Sequence, residues 1–459
     1  MHKRKVRRAI KPARLVALGF AAIIVAGTLG LMSPLATNSG HGTPFLAALF
    51  TATSAVTMTG LAVVDTPVHY SVVGQGIIAA LIQVGGFGIM AMASLVGMVI
   101  TGRLGLRTMV NTAAEGRALA TGEVRRTLMA TLKVTAVVEI ATAVVLAVRH
   151  HQGYGDSVAG AAWFGVFHSI SAFNNAGFAL QSDSLTSFVG DVWIIAPISC
   201  AIIIGGLGFP LLAELFRRVK LQNRLHRGKE LVARPAPLSV TARTTLFATP
   251  VLLLVMFLAV CLWEWNGALA HLHGPDKLLA AVFQAVTPRT AGFNSVDFGE
   301  FHPATLLVTD MMMFTGAGSA GTAGGVKITT LAVLLAAMLA EFRGERWTSI
   351  AKRRIEPAVV RQALTVFAFS CFAVAIGVLA VMTLDPHFAT DRIIFEVVSA
   401  FGTTGLSTGI TANLSAGSQG VLIMLMFLGR LGPITLVASL TSIYSARGYE
   451  YPVERPFIG

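Results

Sequence analysis

The sequence predicts an all-α membrane protein made of four tandem copies of one unit. Each unit has a spanning helix, a short re-entrant helix, a loop and a second spanning helix. That gives about eight spanning and four re-entrant helices in pseudo-fourfold arrangement about one axis. Three observations predict it. Hydrophobic residues make up 54% of the 459 positions and charged residues 12%, with a mean hydropathy of +0.72, which excludes a soluble globule. Basic residues are segregated from the apolar segments. A short loop sequence recurs with a period of roughly 115 residues.

The recurring loops are TMTGL (Thr57 to Leu61), NNAGF (Asn174 to Phe178), RTAGF (Arg289 to Phe293) and GTTGL (Gly402 to Leu406). Their glycines, Gly60, Gly177, Gly292 and Gly405, each precede a large apolar residue, and Phe50, Phe167, Phe283 and Phe395 lie shortly upstream. A single Thr-Gly-Leu is a common turn. Four related copies at one period, each between apolar segments, point to a shared structural job.

The units are 1–104 with a basic N-terminal tail, 105–220, 221–345 and 346–459. The first contains segments 14–32, 44–56, 57–61 and 71–100; the second, 128–148, 159–173, 174–178 and 190–216. In the third they are 243–265, 276–288, the loop and 303–340; in the fourth, 360–383, 390–401, the loop and 417–446. The pieces before each glycine are too short and too polar to span a bilayer, so they read as re-entrant. Leu15 to Met32 exceeds the apolar core of a signal peptide and reads as a retained first helix.

The formal charge of +13 is compatible with nucleic acid, but its placement favours a membrane. Lys3, Arg4, Lys5, Arg7, Arg8, Lys11 and Arg14 lie in the N-terminal tail, and most of the rest cluster in linkers Arg103 to Arg126, Arg217 to Arg243 and Arg343 to Arg361. By the positive-inside rule the linkers and both termini are cytoplasmic, the loops face outward, and no nucleic acid partner is expected. Cys200, Cys261 and Cys371 show no pairing or metal spacing and read as core residues. Without a nucleophile motif, metal spacing or convergent ionisable groups, no enzyme activity and no bound cofactor are expected.

Bare backbone at membrane depth is tolerated only where protein buries it or it lines water. Four loops around one pore meet that condition together, and glycine supplies the positive φ that inward-facing carbonyls need. Such carbonyls replace the hydration shell of a potassium ion. The candidate filter residues are Thr57, Met58, Thr59 and Gly60; Asn174, Asn175, Ala176 and Gly177; Arg289, Thr290, Ala291 and Gly292; and Gly402, Thr403, Thr404 and Gly405. Potassium is then the transported ion, bound at these positions. The glycine clusters QVGGFG (Gln83 to Gly88) and IIGGLGF (Ile203 to Phe209) read as close helix packing through small residues.

Phe314 to Lys327, FTGAGSAGTAGGVK, interrupts what would otherwise be a continuous helix. Gly316, Gly318 and Gly321 match a dinucleotide fingerprint, but the flanks are membrane helix and not a βαβ unit. A broken membrane helix marks a transport site when its backbone lines a cavity. Gly316, Ala317, Gly318, Ser319, Ala320, Gly321, Thr322 and Lys327 are therefore candidate gate residues, with a simple kink as the alternative. Arg430, alone in an apolar helix, is the companion candidate: it either faces the pore as a barrier to cations or is braced by a partner. Arg289 is expected to point behind its loop and brace it, with Glu396 as partner; Asp65, Asp183 and Asp297 are candidates to draw cations to the outer mouth. His168 and Glu396 follow the upstream phenylalanines at equivalent positions.

These motifs resemble the Trk/Ktr/HKT superfamily of potassium transporters. The matching stretches are TSAVTMTGL (Thr53 to Leu61), SAFNNAGF (Ser171 to Phe178), TPRTAGFN (Thr287 to Asn294), SAFGTTGLSTG (Ser399 to Gly409), the GAGSAGTAGG break and GRLGP at Gly429 to Pro433. Lacking extra N-terminal helices, the chain is most similar to the Ktr membrane subunit. The resemblance implies potassium uptake through a pseudo-fourfold pore, the break as an intramembrane gate and Arg430 as the pore arginine. It also implies a homodimer in the lipid of a bacterial inner (plasma) membrane, a cytosolic nucleotide-binding regulatory ring of the KtrA/TrkA kind, and sodium as an activator. Plant relatives that pass sodium carry serine at the first filter glycine, so Gly60 favours potassium. Gly321 stands where serine is frequent. The competing function is a secondary solute transporter with broken helices and alternating access, which predicts inverted repeats.

Overall fold

Helices dominate the computed structural model, which describes residues 12–102, 121–226, 237–319 and 321–432. Pro12–Leu31 opens the chain, followed by the short Phe45–Thr57 and the 31-residue Val72–Gly102. Thr121–Tyr154, Val158–Phe173 and the pair Val192–Gly206 and Phe209–His226 come next. Val240–Trp263, Gly274–Val286, Pro303–Phe314 and Ile328–Phe342 follow, then Pro357–Leu384, Thr390–Gly402 and Ala416–Leu431. The helix starts have local chemical causes. Ser157, Ser239 and Ser415 each accept an N–H from the first turn, while Pro303 and Pro357 stand where no donor is needed.

The four helices before the glycine loops have 13, 16, 13 and 13 residues. At about 1.5 Å per residue they reach some 20–24 Å, short of a hydrocarbon core of about 30 Å. Val240–Trp263 and Pro357–Leu384 are each long and apolar enough to cross a membrane. Val192–Gly206 with Phe209–Val219 would be a third candidate as one span, but the pair is bent by 98°. A straight helix over 190–216 is therefore not what forms. Gly208 adopts φ +92°, a conformation that ends a right-handed helix. The expected end of the last helix, 433–446, lies outside the described residues, as do the basic tail residues up to Lys11 and most of the first linker.

The buried apolar side chains form several clusters, and four of them interlock in sequence. The first helices pack around Ile24, Ala52 and Ile82, and this cluster takes in Phe167 and Phe178 from the second unit. The cluster around Ile194 and Ile198 takes in Phe283 and Phe293 from the third. That around Met256 and Leu306 takes in Phe395 and Leu406 from the fourth. Phe50 and Leu61 from the first unit enter the cluster around Leu422 and Leu425, closing the circuit. The inserted pair is always the upstream phenylalanine and the apolar residue after the glycine. Since lipid tails are as apolar as these side chains, the seams are held by close van der Waals fit and not by exclusion of water.

Candidate functional site: four glycine loops and a broken helix

The same cyclic order holds at the loop glycines. A Cβ built on Gly60 would stand 2.5 Å from Ala176 O and 3.1 Å from Gly177 Cα; one on Gly177 would stand 2.8 Å from Gly292 Cα. On Gly292 it would lie 2.5 Å from Thr404 O and 3.2 Å from Gly405 Cα, and on Gly405 it would lie 3.0 Å from Gly60 Cα. Real Cβ atoms do not approach backbone so closely, so only glycine lets the four loops meet. Their φ values, +93°, +72°, +77° and +91°, would strain any other residue there as well.

Each loop has a further left-handed residue two positions before its glycine: Met58 (φ 56°), Asn175 (56°), Thr290 (64°) and Thr403 (51°). The sequence gives no glycine as a signal there. Non-glycine residues hold this conformation only where the surroundings over-determine it, and the surroundings here are polar clamps. Ser54 Oγ accepts the Gly60 N–H at 3.0 Å, and Ser399 Oγ accepts the Gly405 N–H at 3.1 Å. Thr57 Oγ1 lies 2.7 Å from Thr59 Oγ1, and Thr287 Oγ1 donates to Phe293 O at 2.6 Å. Asn174 Nδ2 donates to Gln83 Oε1 at 2.9 Å and to Glu139 Oε1 at 3.2 Å. Glu139 and the two serines escaped the sequence reading; the available signals were a single carboxylate in the apolar segment 128–148 and a serine six residues before three of the four glycines.

Behind the loops, the polar residue after each upstream phenylalanine serves as a tie. Tyr70 OH donates to Thr51 Oγ1 at 3.2 Å. His168 sets Nδ1 against Phe164 O at 2.9 Å, leaving Nε2 to accept the Leu180 N–H at 3.3 Å. Gln284 Nε2 donates to Val296 O at 3.3 Å. Glu396 accepts from Ser407 Oγ at 2.6 Å, Thr408 N at 3.0 Å and Thr411 Oγ1 at 2.7 Å. Glu396 is thus fully engaged with the chain after its own loop and does not pair with Arg289, contrary to expectation. The buried Arg289 side chain lies among Ile202, Ile203, Thr249 and Val286, with Nη1 unpartnered, so no fork of hydrogen bonds braces the loop among the described residues.

All four glycines border an open vestibule of about 330 Å³, whose lining also includes Asp65, Thr66, Ser184, Asn294, Ser407 and Thr411. Asp65 is its one ionisable lining residue among those described. Asp183 and Asp297 are occupied locally, accepting from Ser187 and from the Gly299 N–H, and do not line it.

On another side of the loops lies the break between Pro303–Phe314 and Ile328–Phe342. The Gly318 N–H donates to Gly206 O at 2.9 Å, and the Val326 N–H donates to Phe314 O at 3.1 Å. The glycines of IIGGLGF therefore receive the broken segment as well as packing closely: Gly208 would place a Cβ 2.6 Å from Ser319 O. Thr322 Oγ1 donates to Asn175 Oδ1 at 3.2 Å, while Asn175 Nδ2 donates to Arg289 O at 3.3 Å. Arg430 Nη1 donates to Thr322 O, and its Nη2 lies 3.4 Å from Met58 Sδ. Lys327 Nζ caps Ala323 O and lies 3.4 Å from Gly324 O. Gly324 and Gly325 pack against Gly402, and Gly316 against Gly324 O. Arg430 and Lys327 thus both cap carbonyls of the break, and Arg430 has no carboxylate partner among the described residues. Ala317 and Ser319 complete the described part of the segment, Ser319 Oγ lying 2.6 Å from Thr329 Oγ1; Ala320 lies outside the described residues.

Apolar helices around a buried meeting point of four loops define a mostly helical membrane protein. Residues 12–444 match the TrkH family of cation transport proteins, and the chain belongs to that family. It is 38% identical to the Ktr system potassium uptake protein B of Bacillus subtilis, over 98% of this chain and 97% of that one. It is 36% identical to the potassium/sodium uptake protein NtpJ of Enterococcus hirae, over 100% and 99%. The fold resembles the crystal structure of the potassium transporter TrkH from Vibrio parahaemolyticus, with a TM-score of 0.72 at 19% identity, covering 96% of this chain and 87% of that one.

Proposed function

We propose that this chain takes up potassium across the plasma membrane through one pore, with the four glycine loops as its selectivity filter and the broken segment as its gate. The observation that carries the reading is the closed circuit of Gly60, Gly177, Gly292 and Gly405, each at positive φ and each in backbone contact with the next. Four equivalent loops with left-handed residues two positions apart can turn successive carbonyls toward one axis, where they substitute for the water around a potassium ion. The vestibule delivers the ion, and Asp65 makes its mouth attractive to cations. Beneath the loops, the segment Gly316 to Thr322 obstructs the path until it moves, and Arg430 and Lys327 hold it shut by its carbonyls. The four units 1–104, 105–220, 221–345 and 346–459 each contribute one quarter of the pore, with termini and linkers cytoplasmic.

The Ktr system name of the Bacillus subtilis relative supports a partner subunit, which we propose is a cytosolic nucleotide-binding regulator acting on a homodimer of this chain, and the likeness to NtpJ supports a role for sodium. Rubidium uptake into potassium-loaded liposomes containing the purified chain tests the reading. Uptake should be competed by external potassium well before sodium. Equal competition by the two ions would remove the filter assignment, and no uptake with or without a regulator would remove the pore.

A further inference from the structure

The linker between the third and fourth units is a built hairpin whose chemistry the transport path does not use. Ser349–Ile350 pairs antiparallel with Arg353–Arg354. The turn residues Ala351 and Lys352 both have positive φ, 51° and 63°, as a two-residue primed turn requires. The Ile355 N–H donates to Thr348 O at 2.9 Å, extending the ladder. Trp347 packs under two arginines, with the guanidinium carbon of Arg354 3.1 Å and that of Arg346 5.2 Å from its ring centroid. Despite these contacts Trp347 stays 41% exposed.

Its position relative to the bilayer follows from the helix before it. Leu335, Met338, Leu339 and Phe342 are exposed at helical spacing, so one face of Ile328–Phe342 is an uninterrupted apolar stripe ending at Phe342, itself 78% exposed. Arg343, Arg346 and Trp347 follow at once. On the far side, Arg354 stands three residues before Pro357–Leu384, a helix able to span the membrane. At about 3.3 Å per residue it can lie no more than roughly 10 Å from that helix, which is about one Debye length at 0.1 M salt. The apolar stripe therefore ends where the basic groups begin, with an indole set among them: hydrocarbon gives way to the aromatic and basic residues typical of an interface. Arg343, Arg346, Lys352, Arg353 and Arg354 outnumber Glu341, Glu345 and Glu356 in the segment.

We infer that the 342–354 hairpin is a docking site for anionic phospholipid headgroups of the surrounding bilayer. Trp347 seats at the interface, and Arg346, Lys352, Arg353 and Arg354 bind the phosphates. Arginine suits the task because its planar fork donates to phosphate oxygens while its face stays stacked on the indole. Among possible occupants, the bilayer is the one the apolar stripe leads into. A soluble acidic protein would satisfy the charges but leave Phe342 and the indole edge without an apolar partner.

The test uses the full chain in liposomes in which either phosphatidylglycerol or phosphatidylcholine carries bromine on its acyl chains, the two lipids being present in equal amounts. The contribution of Trp347 is the difference in fluorescence between the parent and Trp347→Phe. Brominated phosphatidylglycerol should quench that contribution at least about twofold more than brominated phosphatidylcholine, and added salt should reduce the difference. The combined Arg346→Gln, Lys352→Gln, Arg353→Gln and Arg354→Gln variant, all at exposed positions, should unfold at the parent's temperature yet lose the preference. Equal quenching by the two lipids would overturn the headgroup assignment. Absence of quenching by either would overturn membrane contact at the hairpin altogether.

Discussion

Gly60 and Arg430 show how single residues set the behaviour of the site. Gly60 is constrained twice, by φ +93° and by Ala176 O 2.5 Å from where a Cβ would stand. A serine there must either move the second loop or rotate its own carbonyl, and both disturb the proposed ion cage. Gly60→Ser should therefore lower the potassium-to-sodium flux ratio by about tenfold, equivalent to roughly 1.4 kcal/mol of differential stabilisation; an unchanged ratio in liposomes would remove Gly60 from the filter. Arg430 is constrained differently. Its two contacts run to Thr322 O in the break and to Met58 Sδ in the first loop, so it joins the two parts of the site. A unit charge about 7 Å from a passing cation repels it by roughly 2 kcal/mol at an effective dielectric near 20. Arg430→Gln removes the charge and weakens the latch, and should raise flux by about tenfold or more. Arg430→Lys keeps the charge and one contact and should stay close to the parent. Equal flux in Gln, Lys and parent proteins, normalised to folded protein, would leave Arg430 a structural residue.

At the scale of elements, the break and the second-unit bend form a matched pair. Gly206 and Gly208 present backbone to Gly318, Ser319 and Gly321, and Gly205 O accepts the Thr322 N–H; contacts of this kind allow a segment to slide without repacking bulky side chains. Thr322 is then the tether: its hydroxyl holds Asn175 of the second loop and its carbonyl accepts from Arg430. Deleting Gly318 to Gly321 should shorten the obstruction and raise rubidium flux in liposomes without any added regulator, whereas a folded deletion protein that conducts no more than the parent would place the gate elsewhere. Much of this architecture was legible beforehand. The helix at 360–383 is Pro357–Leu384, and the break expected from Phe314 to Lys327 runs between helices ending at Phe314 and starting at Ile328. Long apolar runs, prolines and glycine pairs are local signals, and they locate ends well. The bend at Gly208 was missed because IIGGLGF reads equally well as close packing; only the arrival of Ser319 against it distinguishes the two. The left-handed Met58, Asn175, Thr290 and Thr403 were illegible for the same reason: their conformation is imposed by neighbouring loops and not encoded in their own side chains.

For the whole molecule, the controlling feature is the cyclic insertion of one unit into the core of the one before it. Phe50, Phe167, Phe283 and Phe395 are all at most 1% exposed, and each is buried in a cluster built mainly by another unit. Such an arrangement has no free end: loosening one seam shifts two glycine loops relative to each other and leaves the remaining three seams to hold the circuit. With the loops as the proposed filter, this packing couples stability to ion selection, and a mutation far from the loops' backbone is expected to disturb both. Phe283 is the most direct place to test this, since it lies in the cluster with Ile194 and Ile198 of the second unit while its helix leads into the third loop. Truncating a buried phenylalanine typically costs about 3–5 kcal/mol, from lost contacts and the cavity left behind. Phe283→Ala should accordingly lower the temperature of thermal inactivation in detergent and, in the fraction that remains folded, lower the potassium-to-sodium flux ratio. Leu258→Ala is the control, because Leu258 is 55% exposed on the Val240–Trp263 helix and seals no seam; it should leave both measurements near the parent's. A Phe283→Ala protein that is less stable yet equally selective would show that the seams support the fold without setting the geometry of the loops, and the link between packing and ion choice would fall.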